Sequence, residues 1–332
     1  MSRRSASSRH TWRRSKMRSN ITSILHIEYP LIQGGMAWVS NASLAAAVSM
    51  AGGLGVIAAG NAPPDWVRAQ IRELRAKTDK PFGLNVMLLS PYVEEIAKVV
   101  SEERVPVVIT GAGNPAGYVR AWKEAGCTIA PVVASSALAQ MMQRSGADFV
   151  IAEGCEAGGH IGELTTMVLT PDIVRSVDIP VVAAGGIYNA ETVAAAFCLG
   201  ASGVQVGTRF ILAEECTAHE DYKQRVIKAK DIDSKVTGRV TGHPVRVLRS
   251  PLVREMAKFE YEPGGAEKLE KLGEGSLMRA VLHGDKEGGS FMAGQCACMM
   301  DQVQPAAEII RELFDKTSLE RIRNDVFGTL LG

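Results

Sequence analysis

The chain has 332 residues, of which 46% are hydrophobic and 22% are charged, and its formal net charge is +1. A chain of this length holds one large α/β domain with an appendage, or two ordinary domains. No apolar run reaches the roughly eighteen residues needed to cross a bilayer, and the six cysteines follow no disulfide framework. We therefore expect a soluble, cytoplasmic protein with reduced thiols, without a membrane or nucleic-acid partner.

The charge is unevenly distributed along the chain. Residues 1–20 carry seven basic residues and no acidic one, a net +7 that leaves the rest of the chain at −6. This Ser-rich segment lacks the apolar stretch of a secretory signal. The alternatives are an organelle-targeting segment, an arm, or sequence translated ahead of a start at Met17; we expect a disordered leader without function.

Apolar, β-branched runs alternate with helical patterns from residue 29 onward. Near-continuous apolar strands that are each followed by a helix predict a parallel sheet buried on both faces. Eight such units fit a closed (β/α)8 TIM barrel better than an open doubly wound sheet. The predicted strands span residues 29–36, 54–59, 82–88, 105–110, 128–133, 148–152, 180–184 and 203–207.

This alternation ends at Arg209. Residues 210–302 show helical patterns and loops without a clear strand alternation, and residues 305–331 predict two closing helices. We therefore predict a leader at 1–20, an α/β barrel at 21–209 completed by closing helices at 303–332, and a smaller, mainly helical cap domain at 210–302. Within the barrel, Thr170-Pro171 and Asn189 are predicted helix starts, and the second of these helices ends at Gly200.

Glycine-rich and polar residues fall at the ends of the predicted strands. In TIM barrels the chemistry lies at the carboxyl ends of the strands, and the loops after strands seven and eight commonly bind phosphate. Gly185-Gly186 stands there just ahead of Asn189, where backbone N–H groups and a helix N-terminus would face an anion. A phosphate beside a glycine-lined floor suggests a phosphorylated flat cofactor, which in a barrel usually means flavin mononucleotide (FMN). The alternative is that these glycines only form tight turns.

His160 lies in the stretch EGCEAGGHIGELTT, residues 153–166, which follows the sixth predicted strand. Glycines on both sides of it remove the Cβ atoms that would keep a flat ligand away from the backbone. A planar ring system would therefore fit close to this histidine. A glycine-rich surface turn with a solvated histidine explains the local pattern equally well.

Residues 222–258, in the predicted cap, are strongly basic. They contain ten basic and three acidic residues, a net charge of +7 on an otherwise acidic body. Such a patch attracts an acidic partner or a phosphorylated cosubstrate; the alternative is a solvated helical face. The basic residues of the patch are Lys223, Arg225, Lys228, Lys230, Lys235, Arg239, Arg246, Arg249, Arg254 and Lys258.

Several strings resemble one enzyme family: QGGMAWVSN at 33–41, GLNVMLLSP at 83–91, TGAGNP at 110–115, IAEGCEAGGHIGELTTM at 151–167, VVAAGGI at 181–187, GVQVGTRF at 203–210 and FMAGQ at 291–295. This family is the FMN-dependent enoyl-acyl-carrier-protein (enoyl-ACP) reductases of bacterial type II fatty acid synthesis, within the nitronate monooxygenase superfamily. The likeness runs from about residue 20 to the C-terminus. AGGH and AAGGI are shared across the superfamily and indicate the flavin barrel. HIGELTTM and parts of the segment 218–246 resemble the reductases and not the monooxygenases.

The resemblance implies that His160 is the active-site histidine of an NADH- or NADPH-dependent reductase, which can also depend on a monovalent cation. The expected partners are an acidic acyl carrier protein that delivers the enoyl substrate, and a second copy of the chain in a homodimer. No residue is assigned to a metal site. The residues that the resemblance assigns to FMN binding are Gly35, Met36, Asn85, Gly158, Ala184, Gly185, Gly186, Gln205, Gly207 and Thr208.

The chemistry of such a reduction defines what the site must supply. Reduction of a trans-2-enoyl thioester at its β-carbon builds negative charge on the thioester oxygen, which needs a hydrogen-bond donor, and a proton must reach the α-carbon. With an ordinary pKa near 6.5, His160 can act as donor or acid at neutral pH. Two rivals remain: a nitronate monooxygenase with the same FMN barrel but O2 as oxidant and His160 as base, and a flavin-binding protein without catalysis whose cap is a partner surface.

Overall fold

The computed structural model describes residues 20–327; residues 1–19 of the predicted leader and residues 328–332 of the predicted closing helices lie outside the described part of the chain. Eight parallel strands with alternating helices form a (β/α)8 TIM barrel, which confirms the predicted fold. In chain order, the first strands are β1 (Leu31–Gln33), β2 (Gly55–Ala58), β3 (Phe82–Met87), β4 (Val107–Gly111), β5 (Thr128–Val133), β6 (Val150–Glu153), β7 (Gly159–His160), β8 (Val181–Ala184) and β9 (Gly203–Val206), of which the short β7 is outside the barrel.

The barrel closes between its first and second strands. Its strands follow the order β1-β9-β8-β6-β5-β4-β3-β2. The N–H of Leu54, next to β2, donates to the carbonyl of Leu31 at 2.8 Å, and the N–H of Gln33 donates to the carbonyl of Leu54 at 2.9 Å. Because all neighbours are parallel, the carboxyl ends of the eight strands meet at one end of the barrel.

Helices surround this sheet where the sequence has a 3.6-residue apolar period. In α3, for example, Val67, Ile71 and Leu74 are buried on one face. The start of α8 at Asn189 is confirmed: its side chain accepts a hydrogen bond from the N–H of Thr192 at 3.0 Å. The helices are α1 (Ile21–Leu25), α2 (Ala42–Met50), α3 (Pro64–Lys77), α4 (Val93–Glu102), α5 (Ala116–Glu124), α6 (Ser136–Arg144), α7 (Thr166–Ser176), α8 (Ala190–Cys198) and α9 (Thr208–Ile211).

Both faces of the barrel strands are buried, as their continuous apolar runs predict. Ile32, Ile109 and Ile151 belong to the cluster inside the barrel. Ile57 and Leu84 belong to the cluster between the strands and the helices. Since burial of one such side chain stabilises the fold by about 1.5–3 kcal/mol, this double core holds the strand ends in fixed positions.

The predicted helix start at Thr170-Pro171 is wrong. Helix α7 begins one turn earlier, and Pro171 lies inside it. The start is stabilised by a residue distant in sequence: the N–H of Thr166 donates to both carboxylate oxygens of Glu156 at 3.0 and 2.9 Å. A carboxylate at a helix N-terminus also interacts favourably with the helix dipole. No local pattern indicates this cap, because Glu156 precedes the helix by ten residues.

The segment 210–302 contains helices and also two strands that the sequence pattern missed. β10 (Ser234–Thr237) pairs with β11 (Val245–Leu248) in antiparallel fashion, and β11 pairs with β7. The loop that carries His160 is therefore hydrogen-bonded to this segment. Its helices are α10 (Glu220–Ile227), α11 (Pro251–Phe259), α12 (Gly265–Gly273) and α13 (Ser276–His283).

Two helices close the described part of the chain, α14 (Ala306–Leu313) and α15 (Lys316–Ile322). α14 buries Ile309, Ile310 and Leu313 in the core cluster that contains Leu44 of α2. The division of the chain at residues 209 and 302 remains a prediction. Within residues 20–327 no helix is both long and apolar enough to cross a membrane.

Candidate active site

A cavity lies at the carboxyl ends of strands β1, β6, β8 and β9. Nine of the ten residues that the resemblance assigns to FMN binding line it. The tenth, Asn85 in β3, packs its side chain directly against Gly35. The sequence assignment therefore brings these residues together in space. The lining residues are Gly34, Gly35, Met36, Glu153, Glu156, Ala157, Gly158, Ala184, Gly185, Gly186, Ile187, Gln205, Gly207, Thr208, Gly294 and Cys296.

The loop after β8 presents backbone N–H groups to this cavity. Gly185 and Gly186 have φ angles of 98° and 74°, a left-handed conformation that glycine adopts without strain. The N–H groups of Gly186 and Ile187 have no acceptor within the described part of the chain. Consecutive N–H groups in such a turn form a concavity that suits an anion.

Close backbone contacts require glycine on the opposite wall. A Cβ on Gly158 would lie 2.7–2.8 Å from the backbone of Ala293 and Gly294. Gly294 is itself fixed, since its N–H donates to the hydroxyl of Thr208 at 2.9 Å. The strings AGGH and FMAGQ are therefore packed against each other, although they are far apart in the sequence.

His160 is held at the edge of the site by the second sheet. Its strand β7 pairs with β11, with His160 opposite Val245, and the N–H of Ile161 donates to the carbonyl of Pro244 at 3.1 Å. The residue is exposed, yet desolvation by the surrounding protein lowers the pKa of its imidazole, and the nearby His243 lowers it further. His160 is therefore mostly neutral at pH 7 and offers one ring N–H as donor and one ring nitrogen as acceptor.

The buried side chain of Arg246 anchors the loop between β6 and β7. Its Nε donates to the carbonyl of Cys155 at 2.8 Å, and its guanidinium also donates to the hydroxyl of Ser234 at 2.8 Å. Arg246 is only 6% exposed, and Lys223, whose Nζ donates to the carbonyl of Ala213, is 7% exposed. The expectation that both belong to a basic surface patch is therefore wrong, since their charges satisfy buried carbonyl groups.

The sequence profile of the nitronate monooxygenase family matches residues 18–316. The chain belongs to the nitronate monooxygenase family. Its relatives are enzymes of the oxidoreductase class, and this family member is therefore an oxidoreductase.

Three relatives define its position within the family. The structure of FabK from Thermotoga maritima matches with a TM-score of 0.89 and 51% identity, over 91% of this chain and 97% of that one. A (3aS,4S,5R,7aS)-5-hydroxy-7a-methyl-1-oxo-octahydro-1H-indene-4-carboxyl-CoA dehydrogenase of Mycobacterium tuberculosis is 31% identical, over 90% of this chain and 95% of its own. A probable nitronate monooxygenase of Staphylococcus saprophyticus is 33% identical, over 74% and 83%. These matches confirm the resemblance to FabK-type enoyl reductases within the nitronate monooxygenase superfamily.

Members of this family are FMN enzymes, and unpaired polar groups in the cavity suit that cofactor. The side-chain Oε1 of Gln205 is buried and has no hydrogen-bond donor among the described residues, whereas the flavin ring carries an imide N–H. The unpaired N–H groups of Gly186 and Ile187 suit a phosphate. A buried polar group without a partner costs about 1–3 kcal/mol. The residues of this nitronate monooxygenase family member therefore fit FMN.

Glu153 is the last residue of barrel strand β6, and burial strongly alters the protonation of its carboxyl group. Burial raises its pKa to about 7. Its nearest polar neighbour is the amide of Gln205, whose Nε2 lies 3.4 Å from the carboxylate. The carboxyl group therefore changes charge near neutral pH inside the cavity that fits the flavin.

Gly158→Ala should abolish tight FMN binding. The added methyl group would push the segment with Ala293 and Gly294 outward and would break the bond from Gly294 to Thr208. We expect at least a tenfold increase in the dissociation constant of FMN, about 1.4 kcal/mol or more, measured by flavin fluorescence on refolded or reconstituted protein. Gly117→Ala in α5 is the matched control, because a Cβ there meets no atom within 4 Å. Equal affinity in both variants would contradict the close packing.

Some residues of the cavity were missed by sequence analysis. Glu156, Gly294 and Cys296 line it without having been assigned a role. Gly294 and Cys296 come from a segment far beyond the barrel strands, so strand-end logic does not find them. Glu153 had a usable signal, since a carboxylate at the end of a buried apolar strand is unusual.

Proposed function

We propose that the protein reduces trans-2-enoyl-acyl-carrier-protein to the saturated acyl thioester with NADH or NADPH, in the last step of the fatty acid elongation cycle. The observation that carries the proposal is the 51% identity to FabK over 91% of this chain, against 31% and 33% for the relatives named as a dehydrogenase and a monooxygenase. It is supported by the string HIGELTTM, which begins at His160 and resembles the enoyl reductases.

Two features of His160 support a role in this reaction: it follows the cavity-lining Gly158 by two residues, and its pKa is lowered. When bound, FMN supplies hydride transfer between a nicotinamide and the β-carbon of the thioester. A neutral imidazole donates one ring N–H to the thioester oxygen while negative charge builds there, and such a donor is worth about 10²- to 10³-fold in rate. The pairing of His160 with Val245 fixes the backbone of the donor. His160 would therefore stabilise the transition state as a neutral donor, without first gaining a proton.

The segment around Met292 is anchored beside the loop of His160. The carbonyl of Met292 accepts a hydrogen bond from the hydroxyl of Tyr222 at 2.7 Å, and Tyr222 is 1% exposed. The same segment packs on Gly158, so α10 holds it against the loop of His160.

We also propose that an acidic acyl carrier protein docks on exposed basic residues near the mouth of the site. Arg239 supports this placement, because its guanidinium pairs at 3.0 Å with Glu163, three residues beyond His160. Other exposed members of the patch are Lys230, Lys235 and Lys258. Rim charges of this kind mainly raise association rates. The homodimer and the monovalent cation, which the resemblance implies, belong to the same proposal. So does the cytoplasmic location that the cysteine pattern predicts.

The proposal is tested by turnover. FMN-loaded protein is mixed with NADH or NADPH and with crotonyl thioesters of an acyl carrier protein, coenzyme A and N-acetylcysteamine, and nicotinamide absorbance is followed. We expect consumption that depends on the thioester and is fastest for the carrier-bound substrate. Bleaching of the flavin without reoxidation by any thioester would sink the proposal.

A second candidate is nitronate monooxygenase activity. It is favoured by the family profile over residues 18–316 and by the Staphylococcus saprophyticus relative. In that reaction His160 would act as a base, which its lowered pKa permits. Oxygen consumption with an alkyl nitronate, in the absence of nicotinamide, separates this activity from enoyl reduction.

A further inference from the structure

A second cavity lies within the segment 210–302 and shares no lining residue with the first. Its volume is about 420 Å³, within the range of small-molecule sites. Five basic and two acidic side chains line it, a net charge of +3. The cavity therefore combines the size of a ligand site with a positive field. Its lining residues are Asp221, Gln224, Arg225, Lys228, Ala229, Asp233, Leu248, Arg249, Arg254 and Lys286.

One wall of this basic pocket is a face of α10. Asp221, Gln224, Arg225 and Lys228 recur at helical spacing and line the pocket, whereas Tyr222 on the other face is buried in the core. One face of α10 is therefore buried in the core, and the opposite face carries the charged side chains of the pocket.

Part of the positive charge is already neutralised. Lys286 pairs with Asp221 at 2.7 Å, and Arg249 lies 3.6 Å from Asp233. The other three basic side chains of the pocket, Arg225, Lys228 and Arg254, form no ion pair within residues 20–327.

The remaining cations are available to a ligand. The side chains of Lys228 and Arg254 form no hydrogen bond or ion pair within residues 20–327. Arg225 stacks on the ring of Phe291 at 4.7 Å and donates to the carbonyl of Arg249 at 2.6 Å. This stacking orients the guanidinium of Arg225 and leaves further N–H groups on it. Two unpaired cations beside an oriented guanidinium form a donor set for a phosphate.

We infer that this pocket binds the phosphate group of a small phosphorylated molecule. The ligand class follows from the lining, which has many cationic donors and no aromatic side chain on which a base could stack. The pocket adjoins the sheet that carries His160: Leu248 in the pocket and Val245 opposite His160 belong to the same strand, β11, and are about 10 Å apart at 3.4 Å per residue. The choice of probes rests on the proposed function, whereas the phosphate site itself does not.

Two sources offer this chemistry, the 2′-phosphate of NADPH and the 3′-phosphate of coenzyme A. Adenosine 2′,5′-bisphosphate and adenosine 3′,5′-bisphosphate represent them, and adenosine is the probe without phosphate. Titration calorimetry on the FMN-loaded full chain should give one site for at least one bisphosphate and none for adenosine. The bisphosphate with the higher affinity identifies the source. Affinity should fall as salt rises, because exposed charges are screened.

Variants of the unpaired cations locate the site. Lys228→Ala and Arg254→Ala should each weaken the bisphosphate about tenfold, since each loses a charge-assisted hydrogen bond. Lys258→Ala is the matched control, because Lys258 lies on α11 with Arg254 but outside the pocket. It should bind like wild type. Unchanged flavin content and circular dichroism verify that the exposed substitutions leave the fold intact.

Absence of bisphosphate binding at millimolar concentration, or equal weakening in Lys258→Ala, would overturn the inference. So would pocket variants that alter the KM of carrier-bound substrate alone, because that result assigns the surface to a protein partner. These measurements require no turnover. If the bisphosphate binds but no thioester is reduced, the proposed function fails and the phosphate site stands.

Discussion

His160→Ala is expected to keep FMN bound and to lose most enoyl reduction. The side chain of His160 does not line the cavity that fits the flavin, so cofactor affinity should change little. Loss of the donor to the thioester oxygen, or of the acid that protonates the α-carbon, should lower kcat about 10²- to 10⁴-fold. Because the pKa of His160 is lowered, the wild-type residue acts mainly as a neutral donor at pH 7.

Stopped-flow absorbance separates the two half-reactions of this variant. Bleaching of the flavin by NADH or NADPH should proceed at a rate close to that of wild type, whereas reoxidation by crotonyl thioester should be slow. His283→Ala is the control, since His283 is exposed at the end of α13 and does not line the cavity that fits the flavin. Reoxidation at the wild-type rate in His160→Ala would remove the histidine from the mechanism.

The barrel was predictable because its signals are local. The predicted bounds of β5 agree with the structure to the residue, since this run is almost entirely apolar. The end of α8 before Gly200, at φ 94°, also follows from a local rule. Parallel strands then place their carboxyl ends together, so residues as distant as Gly35 and Thr208, which the resemblance assigns to FMN binding, line one cavity.

The cap was predicted less well because its structure depends on distant partners. β10 and β11 have only four residues each. The second neighbour of β11 is β7, which lies in the barrel part of the chain. A pattern of alternating Val and Arg in 245–248 does not reveal such a partner. The burial of Arg246 has the same origin: its acceptor, the carbonyl of Cys155, is 91 residues away.

Glu153→Gln should make the protein more stable at alkaline pH. Burial raises the pKa of Glu153 from an ordinary 4.5 to about 7. Between these two values the folded chain binds a proton that the unfolded chain has released, so the free energy of unfolding falls as pH rises through this window. Well above pH 7 the charged form predominates, and its burial costs about 3 kcal/mol by the 1.36 kcal/mol per pKa unit of linkage. Glutamine has nearly the same shape and never carries this charge.

Denaturant unfolding of the FMN-loaded proteins at pH 5 and pH 8 measures this effect. The stability of Glu153→Gln relative to wild type should increase by about 2–3 kcal/mol from pH 5 to pH 8. Glu124→Gln, with a side chain 72% exposed, should show no such trend. A parallel pH dependence of Glu153→Gln and wild type would mean that Glu153 keeps its charge through this range, held by a cation or a polar group of the flavin. In that case the carboxylate, and not the carboxylic acid, would face the cofactor at neutral pH.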